Sequence, residues 1–114
     1  MPSPQPRKVS HANGGYEYRL NGELHREDGP AVDSGKGDQW WFRHNLLHRE
    51  DGPAVTHASG SKWWYQKGQL HREDGPAYEG ADGTKAWYRN GKPFDPANDK
   101  PAQPLKRKPP SFHP

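Results

Sequence analysis

The sequence predicts an all-β fold: an elongated antiparallel meander of three and a half β-hairpin repeats, arranged as a short solenoid. Three observations predict it. The string Leu-His-Arg-Glu-Asp-Gly-Pro-Ala occurs unchanged at 24–31, 47–54 and 70–77, an interval of 23 residues. A fixed period of that size marks units that bury their apolar faces against one another. Aromatic and turn-forming residues recur in the same register. No stretch has helical periodicity, and Pro and Gly, 13 of each, recur too often for a helix of about ten residues.

In chain order, residues 1–13 hold three prolines and one aliphatic, Val9, and are expected to be a disordered tail. The body is expected over residues 14–94, which contain every glycine. Within it the 23-residue spacing aligns Tyr18, Trp41, Trp64 and Trp87, then Arg19, Phe42, Tyr65 and Tyr88, then the turn positions Gly22, Asn45, Gly68 and Gly91. Asn tolerates the left-handed conformation best among non-glycine residues, so Asn45 fits its column. Asn21-Gly22 and Asn90-Gly91 are strong hairpin-turn signals. Each unit reads as a strand (Lys62 to Gln66), a tight turn at Lys67-Gly68 and a returning strand (Gln69 to Arg72). A second turn at Glu73-Asp74-Gly75-Pro76 and an extended Ala77-Tyr78 complete it. The fourth unit stops at Pro93-Phe94, where Leu-His is due, and reads as a cap. Residues 95–114 carry six prolines and Lys100, Lys106, Arg107 and Lys108, with only Leu105 and Phe112 to bury. This basic tail is expected to be disordered.

A two-residue turn at His44-Asn45 sets Arg43 opposite Leu46, Phe42 opposite Leu47 and Trp41 opposite His48. Phe42 and Leu47 then share a face with Trp40 and Arg49, and the equivalent face with Trp63 is assigned to the core. Trp41, Trp64, His48 and His71 form the opposite, exposed ridge, with Tyr18 and Trp87 at its ends.

Trp64-Tyr65-Gln66-Lys67-Gly68, with His71, Gly75 and the later Asp82-Gly83, resembles the MORN repeat over roughly residues 15–94. The family's Tyr-x-Gly before the aromatic is missing here, and Arg-Glu-Asp-Gly-Pro-Ala replaces its glycine-rich segment. The resemblance implies an elongated, twisted antiparallel sheet and a protein-binding or lipid-associated module with no enzymatic role. The octapeptide is also similar in style to repeats in small proteins of phages and large DNA viruses. That setting implies a small inhibitor of a host complex.

Composition narrows the function further. Hydrophobic residues make up 28% of the chain, so a thin sheet with large aromatics is expected in place of a thick core. No apolar run is long enough for a membrane span. The chain has no cysteine, which removes disulfides and thiolate metal sites; a cytoplasmic protein fits. Residues 14–94 carry 11 basic and 12 acidic side chains. The basic excess therefore sits in the tails, which weakens a nucleic-acid role for the body.

His-Arg-Glu-Asp looks catalytic once and structural when it occurs three times, because catalysis needs one asymmetric constellation. Equivalent histidines are two strands apart, about 10 Å, too far to share an ion. No catalytic residue, metal or cofactor is therefore expected. Asp28, Asp51 and Asp74 can hold turns, and Arg26, Arg49 and Arg72 can pair with acids or stack on aromatics such as Trp40 and Trp63. Five Trp and five Tyr are the strongest functional hint, since Trp, Tyr and Arg dominate interface hot spots. The expected partner-binding residues are Tyr18, Trp41, Trp64, Trp87, His48, His71, Arg49 and Arg72, and the expected partner is another protein. The alternative is a nucleic-acid or phosphate ligand, bound by the Trp/Arg columns and the basic tails.

Overall fold

The computed structural model describes residues 4–98 and 100–104. Among these the chain is all-β, with antiparallel strands in an extended sheet and no helix. The strands are β1 (Arg7–Ser10), β2 (Tyr16–Leu20), β3 (Glu23–Leu24), β4 (Val32–Asp33), β5 (Gln39–Trp40), β6 (Phe42–Arg43), β7 (Leu46–Leu47), β8 (Val55–Thr56), β9 (Lys62–Trp63), β10 (Tyr65–Gln66), β11 (Gln69–Leu70), β12 (Tyr78–Glu79), β13 (Lys85–Arg89), β14 (Lys92–Asp95) and β15 (Lys100–Pro101). The long sheet runs β1-β2-β4-β5-β8-β9-β12-β13-β14-β15, with β3 beside β2, while β6–β7 and β10–β11 form separate tight hairpins.

The core is one row of side chains across the long sheet. Pairing sets Glu17 against Val32, Val32 against Trp40, Trp40 against Val55, Val55 against Trp63, Trp63 against Tyr78, and Tyr78 against Ala86. Aromatic and β-branched residues alternate along most of this row, so each large ring lies beside a smaller neighbour, a favourable cross-strand pairing. Val32, Val55 and Tyr78 are fully buried, and Trp40 and Trp63 nearly so. Phe42, Leu47, Tyr65 and Leu70 of the tight hairpins pack against them. The face that carries Trp40 and Trp63 is therefore the core face. At the start of the row the buried Glu17 is neutralised by Arg19, 3.0 Å away.

The tight hairpins have the expected register, Phe42 opposite Leu47 and Tyr65 opposite Leu70. Gly22, Asn45, Gly68 and Gly91 all have positive φ, and so do the residues before them, Asn21, His44, Lys67 and Asn90. Two successive left-handed residues define the type I′ turn, whose twist matches that of the flanking strands. The strand expected from Lys62 to Gln66 is interrupted at Trp64, where β9 hands over to β10.

Arg49 was expected beside Trp40 on the core face, but it lies over Trp41. The returning strand ends at Leu47. Beyond it the chain changes partners: His48 N–H still bonds to Trp41 in its own hairpin, whereas Arg49 N–H bonds to the carbonyl of Tyr65. Strict alternation stops at that step.

Two further differences concern the termini. Arg7–Ser10 were expected to be disordered, yet they form β1 against β2 although all four residues are exposed. Strand pairing satisfies backbone groups without apolar side chains, and the Lys8 ammonium sits 4.8 Å from the Tyr16 ring centre. At the other end the sheet continues past residue 94, because β14 reaches Asp95 and pairs with Lys100–Pro101. Leu105, Lys106, Arg107, Lys108 and Phe112 lie outside the described residues.

Two outcomes follow. At Gly68 (φ +81°) a Cβ would come within 3.2 Å of Leu46 Cδ2, so Gly68→Val should destabilise the domain by at least about 1 kcal/mol in thermal or denaturant unfolding. Burial, reinforced by the neighbouring Tyr88, pushes the Tyr65 hydroxyl up from 10.0 to about 12. Between those values the unfolded chain has released this proton and the folded chain has kept it, so stability falls as pH rises. Melting curves between pH 10 and 12 should show a smaller loss for Tyr65→Phe than for the parent chain.

Candidate partner-binding face

The octapeptide loops build the face opposite the core, and each residue in them has an assignable task. Each arginine stacks on the aromatic of the Tyr18/Trp41/Trp64 column, at 4.2 Å for Arg26 on Tyr18, 3.8 Å for Arg49 on Trp41 and 4.0 Å for Arg72 on Trp64. Its Nε donates to the aspartate two residues on, at 3.0 Å in Arg49–Asp51. Its Nη1 donates to the proline carbonyl four residues on, at 3.2 Å in Arg49–Pro53. Arg26 and Arg72 repeat both bonds. The loop is thus wrapped around one guanidinium. The octapeptide glycine makes room for that guanidinium and does not have positive φ: a Cβ on Gly52 would meet Arg49 Cζ at 2.9 Å, so a larger residue must displace the guanidinium from its stack.

The histidines couple each loop to the next turn. The Nδ1 of His25, His48 and His71 accepts the backbone N–H of His44, Lys67 and Asn90, each at 3.0 Å. An acceptor nitrogen carries no proton, which leaves Nε2 to face the exposed Glu27, Glu50 and Glu73 at 3.6, 3.4 and 2.8 Å. The leucine carbonyl serves the same turn: Leu24, Leu47 and Leu70 accept from Asn45, Gly68 and Gly91. The alanine is fully buried in all three copies. Ala54 accepts from Trp41 N–H and donates to the Trp63 carbonyl, joining two successive hairpins.

These tasks revise the expected ridge. His48 is buried and the His71 side chain nearly so, each with one nitrogen committed to backbone, so the histidines support the face from beneath. Trp41 and Trp64 are half-buried under their arginines. Arg49, Arg72, His71 and Trp64 do converge, together lining a groove of about 530 Å³ between the Arg49–Pro53 loop and the His71–Asp74 loop. Trp41 and Tyr18 occupy the equivalent places under the preceding loops, and Trp87 lies at the far end beside Phe94. The groove also takes in Glu50, Asp51, Glu73 and Asp74, the last three of which the sequence marks only as turn residues. Their side chains are 67–88% exposed. Four carboxylates against two internally bonded guanidiniums leave this rim acidic.

Among the described residues no three His, Cys, Asp or Glu side chains are grouped to hold a metal ion, and no helix is long and apolar enough to cross a membrane. Comparison with protein-family models, curated proteins and solved structures finds no match.

The Arg–Gly contact gives a direct test. Gly52→Ala should cost about 1–2 kcal/mol in the parent chain and clearly less on an Arg49→Ala background, because the clash partner is then gone. Equal costs in both backgrounds, measured by denaturant unfolding, would separate the glycine from the guanidinium.

Proposed function

We propose that this chain is a non-enzymatic, MORN-like repeat module that binds another protein through its loop face, of the kind a small phage-type inhibitor would present. The observation that carries this reading is the groove over Trp64. Its aromatic floor is half-buried and its arginines are fixed by stacking and two hydrogen bonds. Fixed side chains lose little entropy when a partner binds, and Trp with Arg is the usual composition of an interface hot spot. The acidic rim selects for a basic partner surface.

The binding surface is expected to comprise Trp64, Trp41, Arg49 and Arg72 with the carboxylates around them, His48 and His71 acting as supports. A second reading has an observation of its own. Arg89, Lys92 and Lys100 surround Phe94 and Pro101 at the β14–β15 edge, a basic and aromatic combination suited to a phosphate-bearing ligand.

Affinity capture from host lysate with and without nuclease distinguishes the two. Protein binding through the groove predicts a stoichiometric partner that survives nuclease and is lost with Trp64→Ala, a weakening of about 2 kcal/mol or more. The paired reversal Glu50→Lys, Glu73→Lys should weaken the same capture. Capture that disappears with nuclease and ignores both variants points to the basic edge.

A further inference from the structure

We propose that Asn21, at the tip of the first hairpin, is a site of spontaneous deamidation, and that the fold singles it out from the other Asn-Gly steps. The inference is independent of the loop-face reading. Three Asn-Gly dipeptides occur, Asn13-Gly14, Asn21-Gly22 and Asn90-Gly91, and all six residues are exposed. A glycine after asparagine leaves the backbone nitrogen unhindered in each, so sequence alone does not rank them. Their surroundings do. The repeated joint between hairpins clamps every tight turn but the first. Asn90 N–H donates to His71 Nδ1 at 3.0 Å, and Gly91 N–H donates to the Leu70 carbonyl at 2.9 Å. Gln69 side-chain atoms also lie 3.6 Å from where a Cβ on Gly91 would sit. At the first dipeptide the Gly14 N–H donates to the His11 carbonyl at 3.1 Å, and Asn13 Oδ1 accepts the Gly15 N–H at 2.9 Å. No hairpin precedes Asn21-Gly22. Among the described residues nothing accepts either N–H, and nothing comes within 4 Å of where a Cβ on Gly22 would sit. The tip is tied by Arg19 Nη1, which donates to the Gly22 carbonyl at 2.8 Å.

In the reaction the Gly22 nitrogen loses its proton to hydroxide and attacks Cγ of Asn21. The Cγ–Nδ2 bond breaks, and ammonia leaves with a proton taken from water. Water then opens the resulting succinimide at either carbonyl, leaving an aspartyl or an isoaspartyl residue at position 21. A closed type I′ turn holds the glycine nitrogen away from the side-chain carbon, so the rate follows how often the turn opens. A hydrogen bond on the glycine N–H opposes both the opening and the loss of the proton. Gly91 and Gly14 carry that restraint and Gly22 does not. The isoaspartyl product lengthens the turn by one backbone carbon. The pairing of Arg19 with Leu24 and of Leu20 with Glu23 cannot absorb that change without slipping.

The test incubates the full folded chain in mildly alkaline buffer made with ¹⁸O-water. Label is then located by peptide mass spectrometry after a brief acidic digestion. Asn21 is expected to take up label first, at least about fivefold faster than Asn90 or Asn13, from the hydrogen bonds that restrain the other two. In urea the three sites should react at similar rates, because each is an asparagine followed by glycine. His71→Ala removes one of the two bonds on the last turn, and should speed Asn90 while leaving Asn21 unchanged. Equal rates at Asn21 and Asn90 in the folded chain, or no label at Asn21, would overturn the proposal. The same ranking in urea would also overturn it, since local sequence and not the fold would then set the order.

Discussion

The guanidinium of Arg49, and its counterparts at Arg26 and Arg72, shapes the loops on which the rest of the structure depends. It sits 3.8 Å over the Trp41 ring, bonds Asp51 with Nε and Pro53 with Nη1, and lies so close to Gly52 that a Cβ there would push it aside. One side chain thereby closes the loop and delivers Ala54 back to the sheet. Ala54 then bonds Trp41 on one side and Trp63 on the other, which fixes the spacing of the row Trp40–Val55–Trp63. Lysine would not substitute, because an ammonium cannot stack and fork in the same way.

A second set of bonds runs from each loop to the following turn. The type I′ turns leave backbone N–H groups that face the preceding hairpin, and the histidine Nδ1 and leucine carbonyl accept them. Phe94 marks where this requirement lapses. It occupies the histidine position, but the strand beside it is β15, paired through Pro101, and no further type I′ turn follows among the described residues. A ring without an acceptor is then adequate, and the Pro93 carbonyl instead accepts from Ala102 across the β14–β15 pair.

Much of the fold was legible from side-chain alternation. The turn positions, the pairing of Phe42 with Leu47 and the burial of Trp40 and Trp63 all follow from a period of two and from residues that tolerate positive φ. The position of Arg49 was hidden, because the chain leaves its own hairpin after His48 and alternation no longer predicts which side it faces. β1 was hidden for another reason: its pairing is carried by backbone, and Arg-Lys-Val-Ser has no apolar pattern to announce it. On the candidate face, Trp64 and Arg72 were each singled out, but alternation placed Arg72 with Trp63 and not on Trp64, where it stacks. The buried, acceptor role of His48 was not foreseen, since a histidine's partner in the next turn lies 19 residues away.

The crossing bonds also govern how such a chain can change length. Every link between successive hairpins joins positions a fixed distance apart in sequence, such as His48 to Lys67 and Ala54 to Trp63. Gain or loss of one residue between them would misalign donor, acceptor and pleat together. Gain or loss of a complete 23-residue segment would bring an equivalent residue to each of these backbone partners. Length variation in this architecture is therefore quantised, and a tandem duplication at the level of the gene is the mutation it absorbs most easily.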